Sequence, residues 1–274
     1  MSELLIRNVS VWFDDRQRGR VLAVDDVSAA IADGEFVCIV GPSGCGKSTL
    51  LNVVGGLVRA STGEVLVDGL PIAGPGPDRG MVFQSYTLYP WLTVRANVEF
   101  GLKLAKMPAA ERRRVSDRLI ELVRLEGFAE VYPKALSGGM RQRVAIARAL
   151  ANNPRVLLMD EPFGALDAQT RALMQELLLD VWNRDGRIVV FVTHDIDEAI
   201  FLADRVLIMS HRPGRIRLEL PVPLPRPRGY AMLATPEFGE LKRQVLDVIH
   251  EESVLALEHA GDGAPADYPS TLIR

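Results

Sequence analysis

Only two cysteines occur among the 274 residues, Cys38 inside an apolar run and Cys45 in a glycine-rich loop. Two thiols make a poor disulfide framework, and neither has metal-ligand spacing, so a reducing compartment suits the chain. No apolar stretch reaches the roughly 18 residues that a membrane-spanning helix needs. By itself, the chain is expected not to cross a bilayer. The opening MSELLIRNVSVWF carries an acid and alternates like a strand, unlike a secretory leader. An excess of one charge is missing too: 32 basic against 35 acidic residues leave a net charge of −3. That balance gives no general reason to expect nucleic-acid binding. No internal repeat is visible. What is present, 48% hydrophobic and 24% charged residues, is the composition of an ordinary folded protein. The length suits one large domain or a domain with an inserted lobe.

Residues 4–13 and 21–40 hold short β-rich runs, broken by DDRQRGR and by the Asp33-Gly34 turn. FVCIV, 36–40, is a continuous apolar run of strand length, the pattern of a strand buried on both faces. LLNVVGGL reads as a helix closing near Gly55-Gly56, and EVLVDGLPI as a strand and turn leading into the loop AGPGPDRG. From 95 to 151 the chain is mostly helical. ERRRVSDRLIELVRL places Val115, Leu119, Leu122 and Val123 on one face, with its arginines most simply the solvated opposite face. RVLLMD, RIVVFVTH and RVLIMS return to buried strands, the first two separated by a helix near 168–183. Past Gly214, LPVPLPRPRG has a proline at every second position from 221 to 227, which excludes a helix and suggests an extended connector. An amphipathic helix within 237–258 follows, with Phe238, Leu241, Val245 and Val248 on one face. GDGAPADYPSTLIR then reads as a frayed tail.

The chemistry concentrates around GPSGCGKST, Gly41 to Thr49, which matches G-x-x-x-x-G-K-[ST]. The pattern needs a strand before it and a helix after it, and both are expected here, which favours a phosphate loop over a mere glycine-rich turn. Glycines let consecutive backbone N–H groups turn inward on a phosphate, and the helix start adds its positive end. Lys47 would reach the β- and γ-phosphates, and Ser48 would put its hydroxyl on Mg²⁺. In RVLLMDEP, Asp160 ends an apolar strand, where a carboxylate can hold Mg²⁺ through its water shell. Glu161 comes next and would polarise the attacking water. Alone, these would read as two solvated acids; behind a phosphate loop they read as the second half of a nucleotide site. LSGGM, 136–140, opens the helix RQRVAIARALA, so Ser137 with Gly138 and Gly139 forms a second anion-binding corner.

LSGGM upstream of Asp160 is where the sequence resembles the ATP-binding-cassette ATPases, over about residues 4–215. The family's signature is LSGGQ; Met140 stands here in the fifth place, while the serine and both glycines are kept. The resemblance implies an α/β fold: a P-loop NTPase core with a mixed sheet flanked by helices, an N-terminal antiparallel β subdomain and an inserted α-helical signature subdomain. It implies an ATPase domain over 1–215, with the core at about 1–83 and 155–215 and the helical subdomain at about 84–154. Residues 216–274 are left as a proline-rich connector, short helix and tail. ATP and Mg²⁺ are the implied ligands. Gly41, Ser43, Gly44, Cys45, Gly46, Lys47, Ser48 and Thr49 would cradle phosphate, and Ser48, Gln84 and Asp160 would serve the metal. Glu161 and His194 are the implied catalytic residues, His194 in VTHD being similar to the switch histidine that contacts the γ-phosphate and the attacking water. Phe13 in NVSVWF resembles the aromatic that stacks on adenine, with the adjacent Trp12 as the alternative. Asp167 in GALD resembles the aspartate that reaches across a dimer, and Ser137, Gly138 and Gly139 would close on ATP held by the other subunit. The implied assembly is thus a head-to-tail homodimer or a pair with another ATPase subunit.

The segments SYTLYPWLTVRANVEFGL, DEPFGALDAQTR and THDIDEAIFLADRVLIMSHRPGRI closely resemble the ATPases of bacterial importers for nitrate, sulfonates, taurine and related small solutes. This implies two transmembrane permease subunits as partners, an extracytoplasmic solute-binding protein acting through them, and no nucleic acid. The implied location is peripheral, on the cytoplasmic face of the bacterial inner membrane. In that family the surface around Gln84 to Leu92 receives a short helix from each permease. Tyr86, Leu88, Tyr89 and Trp91 are therefore candidates for docking, or else for packing at the lobe junction. A ribosome or DNA-repair role is the alternative; one phosphate loop, one signature and no extended heptads speak against it. No guanine-reading N-K-x-D segment is present.

Overall fold

A computed structural model describes residues 3–15 and 19–261. FVCIV forms β3 (Phe36–Val40), with all five residues buried. It lies inside a six-stranded sheet with β6 (Arg79–Val82), β7 (Val156–Asp160), β8 (Ile188–Val192), β9 (Arg205–Met209) and β10 (Ile216–Pro221), in the order β10-β9-β3-β8-β7-β6. Five strands run parallel and β10 is antiparallel to β9. A parallel strand covered on both faces has no polar side to present, which is why these segments read as unbroken apolar runs. Alternate residues of β3 feed two cores: Phe36, Cys38 and Val40 face one, Val37 and Ile39 the other.

The second core is closed by α1 (Lys47–Val54) and an antiparallel sheet of β1 (Glu3–Asp15), β2 (Gly19–Ala32), β4 (Thr62–Val67) and β5 (Leu70–Pro71), ordered β2-β1-β4-β5. The first core is covered by α5 (Ala168–Asp185), α6 (Ile196–Leu202) and α7 (Pro236–Gly261). Between β6 and β7 the chain forms a helical lobe of α2 (Val94–Leu104), α3 (Ala109–Leu122) and α4 (Gly138–Ala151), with its own core around Val98, Leu102, Ile120, Val123 and Val144. None of the helices among the described residues is long and apolar enough to cross a membrane.

Four local differences from the sequence reading have clear causes. The loop expected to last through Gly80 already pairs at Arg79 and Gly80 with Val156 and Leu157. A Cβ at Gly80 would meet Ala149 O at 2.8 Å, so the glycine marks a close approach and not a turn. The inner face of α3 is centred on Ile120 and the buried Ser116, with Val115 and Leu119 only partly covered. Ser116 is tolerated there because its hydroxyl donates to Glu99 Oε1 at 2.8 Å. The arginines of α3 also divide: Arg113, Arg114 and Arg118 are solvated, whereas the half-buried Arg112 pairs with Glu99 at 3.0 Å. Finally, the sheet runs across residue 215, since β10 pairs with β9. The proline-rich stretch then buries Val222 and Leu224, and α7 seats Phe238, Leu241 and Val245 in the same core. The tail expectation lies, from 262 onward, outside the described residues, as do residues 16–18 of DDRQRGR.

Candidate active site

The turn from β3 into α1 requires backbone shapes that favour glycine: φ is 75° at Gly44 and 103° at Gly46. A Cβ at Gly46 would also approach Ala23 O to 2.8 Å. No side chain caps α1, which leaves its first N–H groups to an anion. Lys47 is only 7% exposed, and its ammonium donates to Gly41 O at 2.8 Å and Pro42 O at 2.9 Å. Its charge is therefore held inside the loop. Cys45 is buried, and burial pushes its thiol above the ordinary range.

Parallel pairing of β7 with β8 sets Asp160 beside Val192, so the residues after both strands emerge at the same sheet end as the phosphate loop. Ser48 Oγ donates to Asp160 Oδ1 at 3.0 Å. Burial raises the Asp160 carboxyl; the Ser48 hydrogen bond opposes this in part, and the neighbouring Glu161 charge adds to it. Glu161 adopts a left-handed backbone, φ 42°, with its N–H bonded to Val192 O at 2.9 Å. Such a conformation is uncommon outside glycine and asparagine and is found enriched at functional sites. The Glu161 carboxylate gathers two groups: His194 Nδ1 at 3.0 Å and Gln84 Nε2 at 3.5 Å from Oε2. A cleft of about 600 Å³ is lined by Ser43, Gly44, Gly46, Lys47, Ser48 and Thr49 on one side, with Gln84, Glu161, His194 and Arg212 completing it.

Other expected site residues stand apart from this cleft. Ser137 caps α4, accepting from Met140 N–H at 3.3 Å, and neither it nor Gly138 or Gly139 lines the cleft. Asp167 caps α5 by accepting from Thr170 N–H at 3.0 Å and from the Thr170 hydroxyl at 2.8 Å, bonds that lower its pKa. It does not line the cleft either. Phe13 and Trp12 are both exposed on β1, outside the lining, and the Arg20 guanidinium lies 4.9 Å over the Trp12 ring.

The cleft offers hard oxygen donors, the Ser48 hydroxyl and the Asp160 carboxylate, beside a lysine and a run of backbone N–H groups. Those donors fit Mg²⁺ bound partly through the phosphates it accompanies. Among the described residues no cluster of three or more His, Cys, Asp or Glu side chains forms an all-protein metal cage. Mg²⁺ here would be held by Ser48 and Asp160, with Gln84 at hand, and would supply charge neutralisation for phosphate oxygens.

Residues 24–164 match the family model described as ABC transporter. The chain belongs to the ABC transporter family. This ABC ATPase is 49% identical over 239 residues to the nitrate import ATP-binding protein of Synechocystis sp., covering 85% of this chain and 90% of that protein. It is 46% identical over 244 residues to the aliphatic sulfonates import ATP-binding protein of Bacillus cereus, covering 88% and 93%. A dimeric ATP-binding cassette in a post-hydrolysis state, bound to ADP and Pi, superposes with a TM-score of 0.72 at 37% identity, over 83% of this chain and 100% of the other. The fold is accordingly the ABC cassette form of the P-loop NTPase, with its mixed sheet, antiparallel β subdomain and helical lobe.

Three arginines to which the sequence reading gave no role tie together elements around the cleft. Arg148 on α4 donates to Thr87 O at 2.7 Å, Thr87 Oγ1 at 2.8 Å and Tyr86 O at 3.2 Å, tying the segment after Gln84 to the signature helix. Arg171 links Asp195, next to His194, to the Leu166 carbonyl at 3.2 and 3.0 Å. Arg212 reaches the phosphate loop. Helix periodicity marks Arg148 as polar and nothing more; its partner lies 61 residues away.

Proposed function

We propose that this chain hydrolyses ATP within a head-to-tail pair of cassettes and couples that cycle to uptake of a small solute, an anion such as nitrate, a sulfonate or taurine. The observation that carries the reading is the Glu161 carboxylate, 3.0 Å from His194 Nδ1 and 3.5 Å from Gln84 Nε2, at the mouth of a phosphate loop. In this reading Glu161 polarises the attacking water, and His194 contacts the γ-phosphate and that water. Ser137, Gly138, Gly139 and Asp167, which do not line the cleft of their own chain, act on the ATP of the paired subunit. Phe13 stacks on adenine; the Arg20 cover on Trp12 supports Phe13 over its neighbour. ATP binding closes the pair, and hydrolysis with phosphate loss opens it.

The ATPase unit in this proposal is residues 1–215 completed by β10 and α7, which finish its sheet and core, with the helical lobe at 84–154 as its moving part. The partners are two transmembrane permease subunits, served by an extracytoplasmic solute-binding protein, with the ATPase peripheral on the cytoplasmic face of the inner membrane. Two features support a permease contact. Trp91 is 69% exposed beside Tyr89, their ring centroids 5.5 Å apart. A largely apolar groove of about 830 Å³ runs between the helical lobe and α5, lined in part by Leu102, Met107, Val115, Leu119 and Leu177. Such a groove suits an amphipathic helix. The names of the nitrate and sulfonate import relatives support the solute class.

The test is purification of the chain from its native membrane in mild detergent, with identification of what co-elutes. A membrane-spanning permease as the stable companion bears the proposal out. Ribosomes or a DNA-repair complex instead would leave the ATP chemistry and overturn the transport reading.

A further inference from the structure

The turn Ser210 to Arg215, between β9 and β10, packs directly on the phosphate loop. Gly214 lies so close that a Cβ there would meet Cys45 O at 2.0 Å and the Met209 side chain at 2.6 Å. On its other side the turn is pinned to β2: Gly214 N–H donates to Ala23 O at 3.0 Å, and Asp25 N–H donates to Gly214 O at 2.9 Å. Arg212 projects from this turn into the lining of the ATP cleft and donates through Nη2 to Gly44 O at 3.1 Å. The turn is also held from the C-terminal helix. Glu252 of α7, 5% exposed, accepts from His211 N–H at 2.8 Å and pairs with Arg217 at 3.3 Å.

We infer that Arg212 is a positioning residue of the ATP site, acting through the Gly44–Cys45 peptide, and that Glu252 anchors the turn that carries it. A peptide group is planar and trans, so its C=O and N–H point in opposite directions. Anchoring the Gly44 carbonyl on Arg212 therefore fixes where the Cys45 N–H is aimed. That N–H makes only a long bond of 3.4 Å to Pro42 O, which a phosphate oxygen can replace. The guanidinium also adds positive charge beside the loop. Both effects act on whatever phosphate the loop cradles, so ATP and ADP should feel them equally. Through Glu252 the chain beyond residue 215 becomes part of the nucleotide site.

This inference rests on the ATP site, and the experiment separates the two. Equilibrium binding of Mg-ATP and Mg-ADP, the turnover constants and the melting temperature are measured on the full chain. Arg212→Ala is expected to weaken ATP and ADP by the same factor, about tenfold, the scale of one lost charge-assisted hydrogen bond. The loss should appear mainly as a raised KM, with kcat at saturating ATP falling by less than the affinity does. Arg212→Lys, which keeps a donor and the charge, should recover part of the affinity. Glu252→Ala should weaken both nucleotides about threefold, while Glu252→Gln, which keeps the acceptor for His211, should bind like the parent. A lowered melting temperature with unchanged affinities would make Arg212 merely structural. A loss confined to ATP would mean direct contact with the γ-phosphate; either result overturns the inference. Lys47→Ala is the control: if it binds nucleotide like the parent, the ATP-site reading itself fails.

Discussion

His194 Nδ1 lies 3.0 Å from Glu161 Oε2, two residues brought together across 33 positions of sequence. A carboxylate so placed can hold the imidazole in one orientation while keeping its second oxygen for water. Glu161→Gln keeps the shape and removes the proposed base. Steady ATP turnover is expected to fall by about 10²–10⁴-fold, with ATP still bound and the chain eluting as an ATP-stabilised dimer in size exclusion. Turnover near the parent rate would show that the base is elsewhere.

Ser48 and Asp160 meet at 3.0 Å although they stand 112 positions apart in the sequence. Their oxygens are the donors proposed for Mg²⁺. In Ser48→Ala, the Mg²⁺ concentration needed for half-maximal ATPase should rise by at least the roughly tenfold that even outer-shell changes produce. Mg²⁺ titration of the two proteins decides this, and superimposable curves would remove Ser48 from the metal site.

Trp91 and Tyr89 separate docking from packing. Trp91 is solvent-facing, whereas Tyr89 stacks on Phe100 at 4.4 Å with Arg148 5.6 Å over its ring. Trp91→Ala should leave the melting temperature and the ATPase of the isolated chain unchanged and abolish coupling to solute uptake in whole cells. Tyr89→Ala should lower the melting temperature as well. Loss of ATPase and fold in Trp91→Ala would assign that residue to packing.

Glu198 is buried on α6, accepting from Gln175 Nε2 at 2.8 Å, while Gln175 in turn accepts from the Tyr230 hydroxyl at 2.7 Å. Burial raises its pKa, against the lowering effect of its hydrogen bonds from Thr193 and Gln175. A carboxyl with a raised folded pKa contributes stability that is full below its unfolded value, about 4.3, and is lost as pH rises through the folded value. Glu198→Gln keeps an acceptor for Gln175 and cannot ionise. Its melting temperature relative to the parent should therefore climb as pH is raised from about 4 to 8. A parallel pair of melting curves across that range would show that Glu198 ionises as readily in the fold as outside it.

Much of the local arrangement around the loop was legible because it is covalently continuous. A strand, a glycine-rich turn and a helix follow in unbroken succession from Phe36 to Val54, and a carboxylate at the end of an apolar strand must emerge at a sheet end. The apolar face of α7 was readable for the same reason, since Phe238, Leu241, Val245 and Val248 recur at helical spacing. The apolar face expected for α3 also packs, with Val123 buried and Val115, Leu119 and Leu122 against the cores, but the hydrogen-bonded Ser116 occupies an inward position that periodicity counts as polar.

The sequence by itself determined which candidate groups for phosphate, a cation and water the chain carries, because residue type and nearest neighbours decide that chemistry. Tertiary structure alone decided which of them meet. The strand order β3-β8-β7, set by buried faces and not by any local period, brings Ser48 to Asp160 and His194 to Glu161. The same sheet carries Arg212 from β9's far end onto Gly44, 168 residues earlier in the chain. Side-chain periodicity reports only inside or outside, and partners this distant are chosen by the packing of whole strands.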